Sequence, residues 1–154
     1  DQAEAMALSD RIMVMRDGKT QQIDTPLNVY ANPANKFVFG FIGLSNFIPV
    51  VPRDGKAVLE SAPDAGQVSD SFPPEFAGAG RATVACRPAE VDLLPEGKGG
   101  LRGVIDRMAY LGETVDYIVT VGDVEIRIQK GRREPRFEAG MACSLAFPKP
   151  TWYE

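Results

Sequence analysis

Residues 115–129 read VDYIVTVGDVEIRIQ, and they contain the clearest structural pattern of this sequence. Because successive side chains of a β-strand point to opposite faces, the alternation of apolar and other residues predicts two strands, each with one buried face. Gly122-Asp123 between them is typical of a tight turn. The stretch therefore predicts an antiparallel hairpin whose inner face packs on a core. The residues expected on that inner face are Val115, Tyr117, Val119, Val121, Val124, Ile126 and Ile128.

Similar short apolar segments, separated by Gly- and Pro-bearing breaks, extend outward from this hairpin over the chain from residue 46 onward. They cover 47–51, 57–59, 81–87, 91–94, 101–108 and 141–147. About seven or eight short strands within about 100 residues are typical of a small barrel or sandwich. Residues 61–80 are rich in Ser, Ala, Pro and Gly, and Pro73-Pro74 opposes regular structure, so we expect a long loop there.

The first 45 residues show a different, mixed α/β pattern. Residues 1–10 are strong helix formers without a preceding N-cap, so we expect this helix to begin upstream and the chain to be a piece of a longer protein. Residues 12–15 and 19–23 flank the turn Asp17-Gly18 and predict a compact hairpin. Thr25-Pro26 and Asn32-Pro33 each predict the start of a short helix, and the second helix, with its apolar residues 37–42, is expected to end at Gly43.

Composition and charge exclude several classes of function. The 154 residues contain no histidine, which excludes Ser-His-Asp and Cys-His nucleophiles and imidazole-bound zinc. A net charge of −4 is the wrong sign for a dedicated nucleic-acid surface. Cys86 and Cys143 lie in apolar, strand-like segments without CxxC spacing, so we expect two buried free thiols. No apolar run approaches the roughly 18 residues of a membrane span, and a cytoplasmic protein is expected.

Few residue patterns point to chemistry. The cluster 97–100, Gly-Lys-Gly-Gly, precedes a strand and not a helix, so a turn is expected there and not a phosphate site. Two pairs of carboxylates, Asp106 with Asp116 and Glu90 with Asp92, are interpreted as solvated charges on strands. One basic cluster remains as a possible anion patch, with Phe137 beside it. It consists of Lys130, Arg132, Arg133 and Arg136.

The N-terminal residues resemble a known family. Residues 1–12, DQAEAMALSDRI, are similar to the stretch that follows the switch histidine in ATP-binding-cassette (ABC) importer ATPase subunits, where the family reads His-Asp-Gln-x-Glu-Ala. Residues 17–19, 22–23, 25–30, 32–38, 40–43 and 46–47 resemble the end of that ATPase domain in the maltose, polyamine and ferric-iron importers. The rest resembles the C-terminal transport-associated OB (TOBE) regulatory domain of these subunits. Its arginine-proline-glutamate turn is matched by Arg87-Pro88, although Ala89 takes the place of the glutamate and Glu90 follows one position later. The turn around Gly112, residues 110–113, is closer to polyamine- and iron-type members.

The resemblance implies a mainly β fold, a small OB-like barrel regulatory domain over 46–154 preceded by a short α/β tail of the ATPase domain over 1–45. It implies an intact protein that binds ATP and Mg²⁺, forms a homodimer and works with membrane permease subunits and a solute-binding protein at the inner face of the cell membrane. Asp1 would flank the switch histidine. The present residues lack both Walker motifs and the signature sequence, so we expect no catalysis, no cofactor and no metal in this chain.

Two alternatives remain open beside this regulatory and dimerisation role. The barrel could bind single-stranded nucleic acid through residues 130–136, although no nucleic-acid partner is expected. It could instead bind a small ligand or anion as a sensor.

Overall fold

The computed structural model describes all residues from Asp1 to Glu154, and they form two compact units, Asp1–Ser45 and Asn46–Glu154. Unit 1 contains α1 (Gln2–Leu8), β1 (Ile12–Arg16), β2 (Lys19–Asp24), α2 (Pro26–Ala31) and α3 (Lys36–Phe41). Strands β1 and β2 form an antiparallel hairpin. None of the helices has the length and apolar character needed to cross a membrane.

The helices of unit 1 begin at side-chain caps. The carboxylate of Asp1 accepts the N–H groups of Ala3 and Glu4 at the start of α1. Thr25 caps α2 as predicted. The predicted start of the next helix at Asn32-Pro33 is wrong. Asn35 caps α3, because its side chain can accept the N–H of Val38, three residues further on.

Unit 1 has a small core made of Val14, Val29, Val38 and Ile42. The core is small because β1 and α2 contribute one buried residue each and α3 two, whereas α1 and β2 contribute none.

Unit 2 is built from two five-stranded antiparallel sheets that share one hydrophobic core. The first has the order β12-β6-β3-β4-β5 and the second the order β10-β9-β8-β11-β7. Their strands are β3 (Asn46–Arg53), β4 (Lys56–Leu59), β5 (Gln67–Ser69), β6 (Ala82–Cys86), β7 (Asp92–Pro95), β8 (Leu101–Tyr110), β9 (Thr114–Val121), β10 (Val124–Gly131), β11 (Ala142–Ala146) and β12 (Thr151–Tyr153). The prediction of a mainly β, OB-like fold is confirmed.

The hairpin predicted for residues 115–129 is formed by β9 and β10. Val115, Tyr117, Val119 and Val121 are all buried, and Ile126 and Ile128 are fully buried opposite them, as predicted. The Tyr117 hydroxyl accepts the N–H of Phe137, so the one polar atom on this face also has a partner.

Residues 61–80 differ from the predicted loop. They contain strand β5 and two 3₁₀ turns, Pro63–Ala65 and Pro74–Phe76. Val68 is buried in the core, and the N–H of Gln67 donates to the carbonyl oxygen of Gly100 at 2.9 Å. A β-bridge between Gly66 and Leu101 joins this segment to the second sheet.

Candidate functional site

The Arg87-Pro88 turn begins where β6 ends. Arg87 is only 3% exposed and Pro88 is also buried, whereas Ala89, at the place of the family glutamate, is exposed. The N–H of Glu90 donates to the carbonyl oxygen of Arg87 at 2.9 Å and closes a 3₁₀ turn over Pro88–Glu90. The turn packs against β10. A buried arginine at a proline-fixed turn is a rigid feature of the domain, because the proline restricts the backbone and burial restricts the side chain.

The C-terminal strand lies close to this turn. Strand β12 pairs with β6, so that Tyr153 lies opposite Thr83 and Thr151 opposite Ala85. Burial raises the pKa of the Tyr153 phenol, and the positive charge of Arg87 opposes that rise. The charge of Arg87 therefore affects the ionisation of a tyrosine on β12, outside its own turn.

The turn around Gly112 and the basic cluster lie side by side. Gly112 adopts a φ of +85°, which a glycine tolerates, and the N–H of Leu111 donates to the Thr114 carbonyl at 2.9 Å. The N–H of Arg132 donates to the carbonyl oxygen of Glu113 at 2.8 Å. The guanidinium of Arg136 lies 5.7 Å from the centre of the Tyr110 ring. We call this surface, residues 110–114 and 130–138, the rim.

The rim carries charges of both signs. Arg132, Arg133 and Arg136 are exposed, Lys130 is half-buried at the end of β10, and Arg136 pairs with Glu138 at 3.3 Å. Glu113 and Glu134 lie in the same segments. Tyr110 and Leu111 are each 57% exposed beside them. This mixture of exposed aromatic, aliphatic and arginine side chains is more typical of a protein interface than of a closed anion pocket.

The other candidate groups have structural explanations. Asp116 pairs with Arg127 and accepts a hydrogen bond from Gln129, and Asp106 pairs with Arg107. Glu90 and Asp92 lie on opposite sides of the buried Val91 along the chain. In the β8–β9 register, Asp116 lies opposite Ala109 and not opposite Asp106. None of the His, Cys, Asp and Glu residues form a group of three or more that could hold a metal ion.

The glycines at 97–100 allow close approach of backbone segments. A Cβ on Gly100 would lie 2.7 Å from the carbonyl oxygen of Gln67, and one on Gly99 would lie 3.0 Å from that of Leu145. The N–H of Gly97 donates to the Ser144 hydroxyl at 2.9 Å. The interpretation of this cluster as a turn agrees with these contacts.

Both cysteines are buried and free, as predicted. Burial raises the pKa of the Cys86 thiol to about 12 and that of Cys143 to about 11. Neither is an activated nucleophile, because only the thiolate is reactive.

A groove of about 540 Å³ lies between β5 and the end of β11, and the sequence analysis missed it. Its walls come from Gln67–Ser71, Lys98–Gly100 and Leu145–Pro148, and the Gln67 side chain donates to the Asp70 carboxylate. The groove could not be predicted, because one of its walls lies in the segment expected to be a loop.

Unit 1 exposes many large apolar side chains for its size. Leu8 and Leu27 are 84% and 73% exposed, and Met13, Met15 and Ile23 share the outward side of the β1–β2 hairpin. Tyr30, Phe41 and Leu44 are also exposed. Exposed apolar surface of this extent is typical of residues that are covered by a partner.

A known family matches part of the β-rich unit. Residues 84–152 match the model of the TOBE domain. The match includes the Arg87-Pro88 turn, Glu90, Gly112 and the rim, all of which lie in unit 2.

The similarity to known proteins extends over both units. Over 96% of its length, the chain is 35% identical to the spermidine/putrescine import ATP-binding protein PotA of Ruegeria pomeroyi, and it covers 42% of that protein. It is 36% identical over 97% of its length to PotA of Pseudomonas fluorescens, again covering 42%. It is 41% identical over 77% of its length to the Fe(3+) ions import ATP-binding protein FbpC of Rhizobium etli, covering 33%. The resemblance to importer ATP-binding subunits is confirmed, and the chain spans less than half the length of these relatives.

Proposed function

We propose that this chain is the C-terminal regulatory and dimerisation region of the ATP-binding subunit of an ABC importer. Residues 1–45 would belong to the end of the ATPase domain, and residues 46–154 would form the regulatory domain around the TOBE match. The observation that carries the proposal is the TOBE match at 84–152 within a chain that resembles import ATP-binding proteins over nearly its full length. The homodimer would assemble with permease subunits and a solute-binding protein at the inner face of the cell membrane, as a peripheral cytoplasmic subunit.

The names of the relatives suggest the cargo class. PotA proteins import spermidine and putrescine, and FbpC proteins import Fe(3+) ions. We infer that the transported solute is a polyamine or ferric iron. The residues around Gly112, which resemble the polyamine and iron types, support the same inference.

In the intact subunit, ATP and Mg²⁺ would be the cofactors. The residues of this chain do not fit them, because the sequence contains no GxxxxGK[S/T] loop to hold phosphates and no cluster of acidic residues that could bind a cation. Asp1 caps α1 with its carboxylate, so it acts as a helix cap in this chain. The chain itself would therefore have a regulatory function and no ATPase activity.

Calorimetric titration of the chain with Mg·ATP tests the non-catalytic role. We expect no specific heat of binding, because no element of the chain cradles phosphate. A specific site of micromolar affinity would contradict the proposal.

A labelled oligonucleotide, followed by fluorescence anisotropy at several salt concentrations, tests the nucleic-acid alternative. Binding that weakens steeply as salt rises would favour that alternative, because phosphate contacts release counterions.

A further inference from the structure

The side chain of Asn46 makes an unusual pair of contacts in unit 2. Its Nδ2 donates to the carbonyl oxygen of Arg127 at 2.8 Å, and its Oδ1 accepts the N–H of the same residue at 2.9 Å. The two residues are 81 positions apart. One carboxamide thus satisfies both backbone groups of one residue, as a neighbouring strand would do.

The partner residue lies on an edge strand. Strand β10 pairs with β9 on one side and is the outer strand of its sheet. The N–H and C=O of Arg127 both bond to Asn46, so they point away from β9. The backbone groups of Ile126 and Ile128 point towards β9, because those of successive residues in a strand point to opposite sides. An open edge of this kind can pair with another chain, so proteins cover or block it. Asn46 covers it at the centre of the strand.

The other end of the contact is anchored in the first sheet. Asn46 begins β3 and lies opposite Cys86 of β6. It is 7% exposed, so its amide is largely removed from water. Loss of its hydrogen-bond partner would therefore lower the stability of the fold. Ser45, the preceding residue, is the last residue of unit 1, so Asn46 is the residue at which the chain enters unit 2.

We propose that Asn46 is a latch that joins the two sheets of unit 2. Its carboxamide holds the middle of β10 to the residue where the chain enters unit 2, and release of the carboxamide exposes the backbone groups of Arg127 to water. This inference goes beyond the proposed function and does not depend on it.

The unmodified chain provides the first test. Nuclear magnetic resonance detects scalar coupling across a hydrogen bond, here between the amide nitrogen of Arg127 and the side-chain carbonyl carbon of Asn46. We expect this coupling to be present in the isotope-labelled protein. Its absence would overturn the latch.

Amide hydrogen exchange provides the second test. In Asn46→Ala, exchange at Arg127 should accelerate at least about tenfold, because the amide loses its acceptor. Ile126 and Ile128, whose backbone groups face β9, should change much less. The matched control is Glu125→Ala, which removes an exposed side chain from the same strand and should leave exchange at Arg127 unchanged.

A milder variant covers the case in which Asn46→Ala does not fold. Asn46→Asp keeps an acceptor for the Arg127 N–H but loses the donor to its carbonyl oxygen. Exchange at Arg127 should then accelerate by a smaller factor, about threefold. Exchange at Arg127 equal to that of the parent protein, in whichever of the two variants folds, would overturn the proposal.

Discussion

Gly66 lies where β5 meets the beginning of β8, and its conformation leaves no room for a side chain. Its φ is +115°, and a Cβ there would overlap the carbonyl oxygen of Gly100. Gly66→Ala should lower the free energy of unfolding by about 3 kcal/mol, because it combines backbone strain with a steric clash. Gly97→Ala is the control, since Gly97 also has a positive φ, +83°, but has open space around it. It should cost only about 1 kcal/mol in urea unfolding. If both variants lower the free energy of unfolding equally, the close approach of Gly66 to Gly100 does not contribute to the effect.

The two buried cysteines make the stability of the fold depend on pH. Their pKa values are raised from 9.0 to about 12 and about 11 in the folded chain, so both thiols stay protonated where unfolded thiols ionise. The contribution of the neutral thiols to the free energy of unfolding is complete below pH 9 and is lost as the pH rises through about 11 for Cys143 and about 12 for Cys86. A thiol reagent should label neither cysteine in the native protein at pH 8 and both after unfolding in urea. Rapid native labelling would contradict the buried state.

At the scale of elements, β5 is the strand whose role is least evident from the sequence. Val68 is its one buried residue and packs in the shared core. Val68→Ala should lower the free energy of unfolding by about 2 kcal/mol, because it removes buried apolar volume. Val104→Ala, at a position 44% exposed on β8, should change it by less than about 0.5 kcal/mol. If both variants unfold at the same urea concentration, β5 does not contribute to the core.

The contrast between β5 and β9–β10 explains which elements can be predicted from sequence. Long strands with regular alternation, such as β9 and β10, reveal their buried face by pattern alone. Strands β5 and β12 have three residues each and were missed, because three residues are too few to show a period. The Arg87-Pro88 turn was found by resemblance. The contact between Asn46 and Arg127 could not be found, because it joins residues that are distant in sequence and leaves no local signal.

At the scale of the whole molecule, self-association is the expected consequence of two surfaces. Unit 1 exposes Leu8, Leu27, Met13 and other large apolar residues, and the rim of unit 2 exposes Tyr110 and Leu111 among arginines. A two-fold dimer requires one self-complementary face, which either surface could supply. Removal of residues 1–45 distinguishes them. A dimer formed through unit 1 should dissociate on removal, and a dimer formed through the regulatory domain should persist.

The mass of the chain in solution tests the dimerisation role most directly. Light scattering coupled to size-exclusion chromatography, at micromolar concentration and physiological salt, measures it without a label. The chain has a mass of 16.7 kDa, and we expect a particle of twice that mass. A monodisperse particle of 16.7 kDa under the same conditions would contradict the claim that this region holds two subunits together.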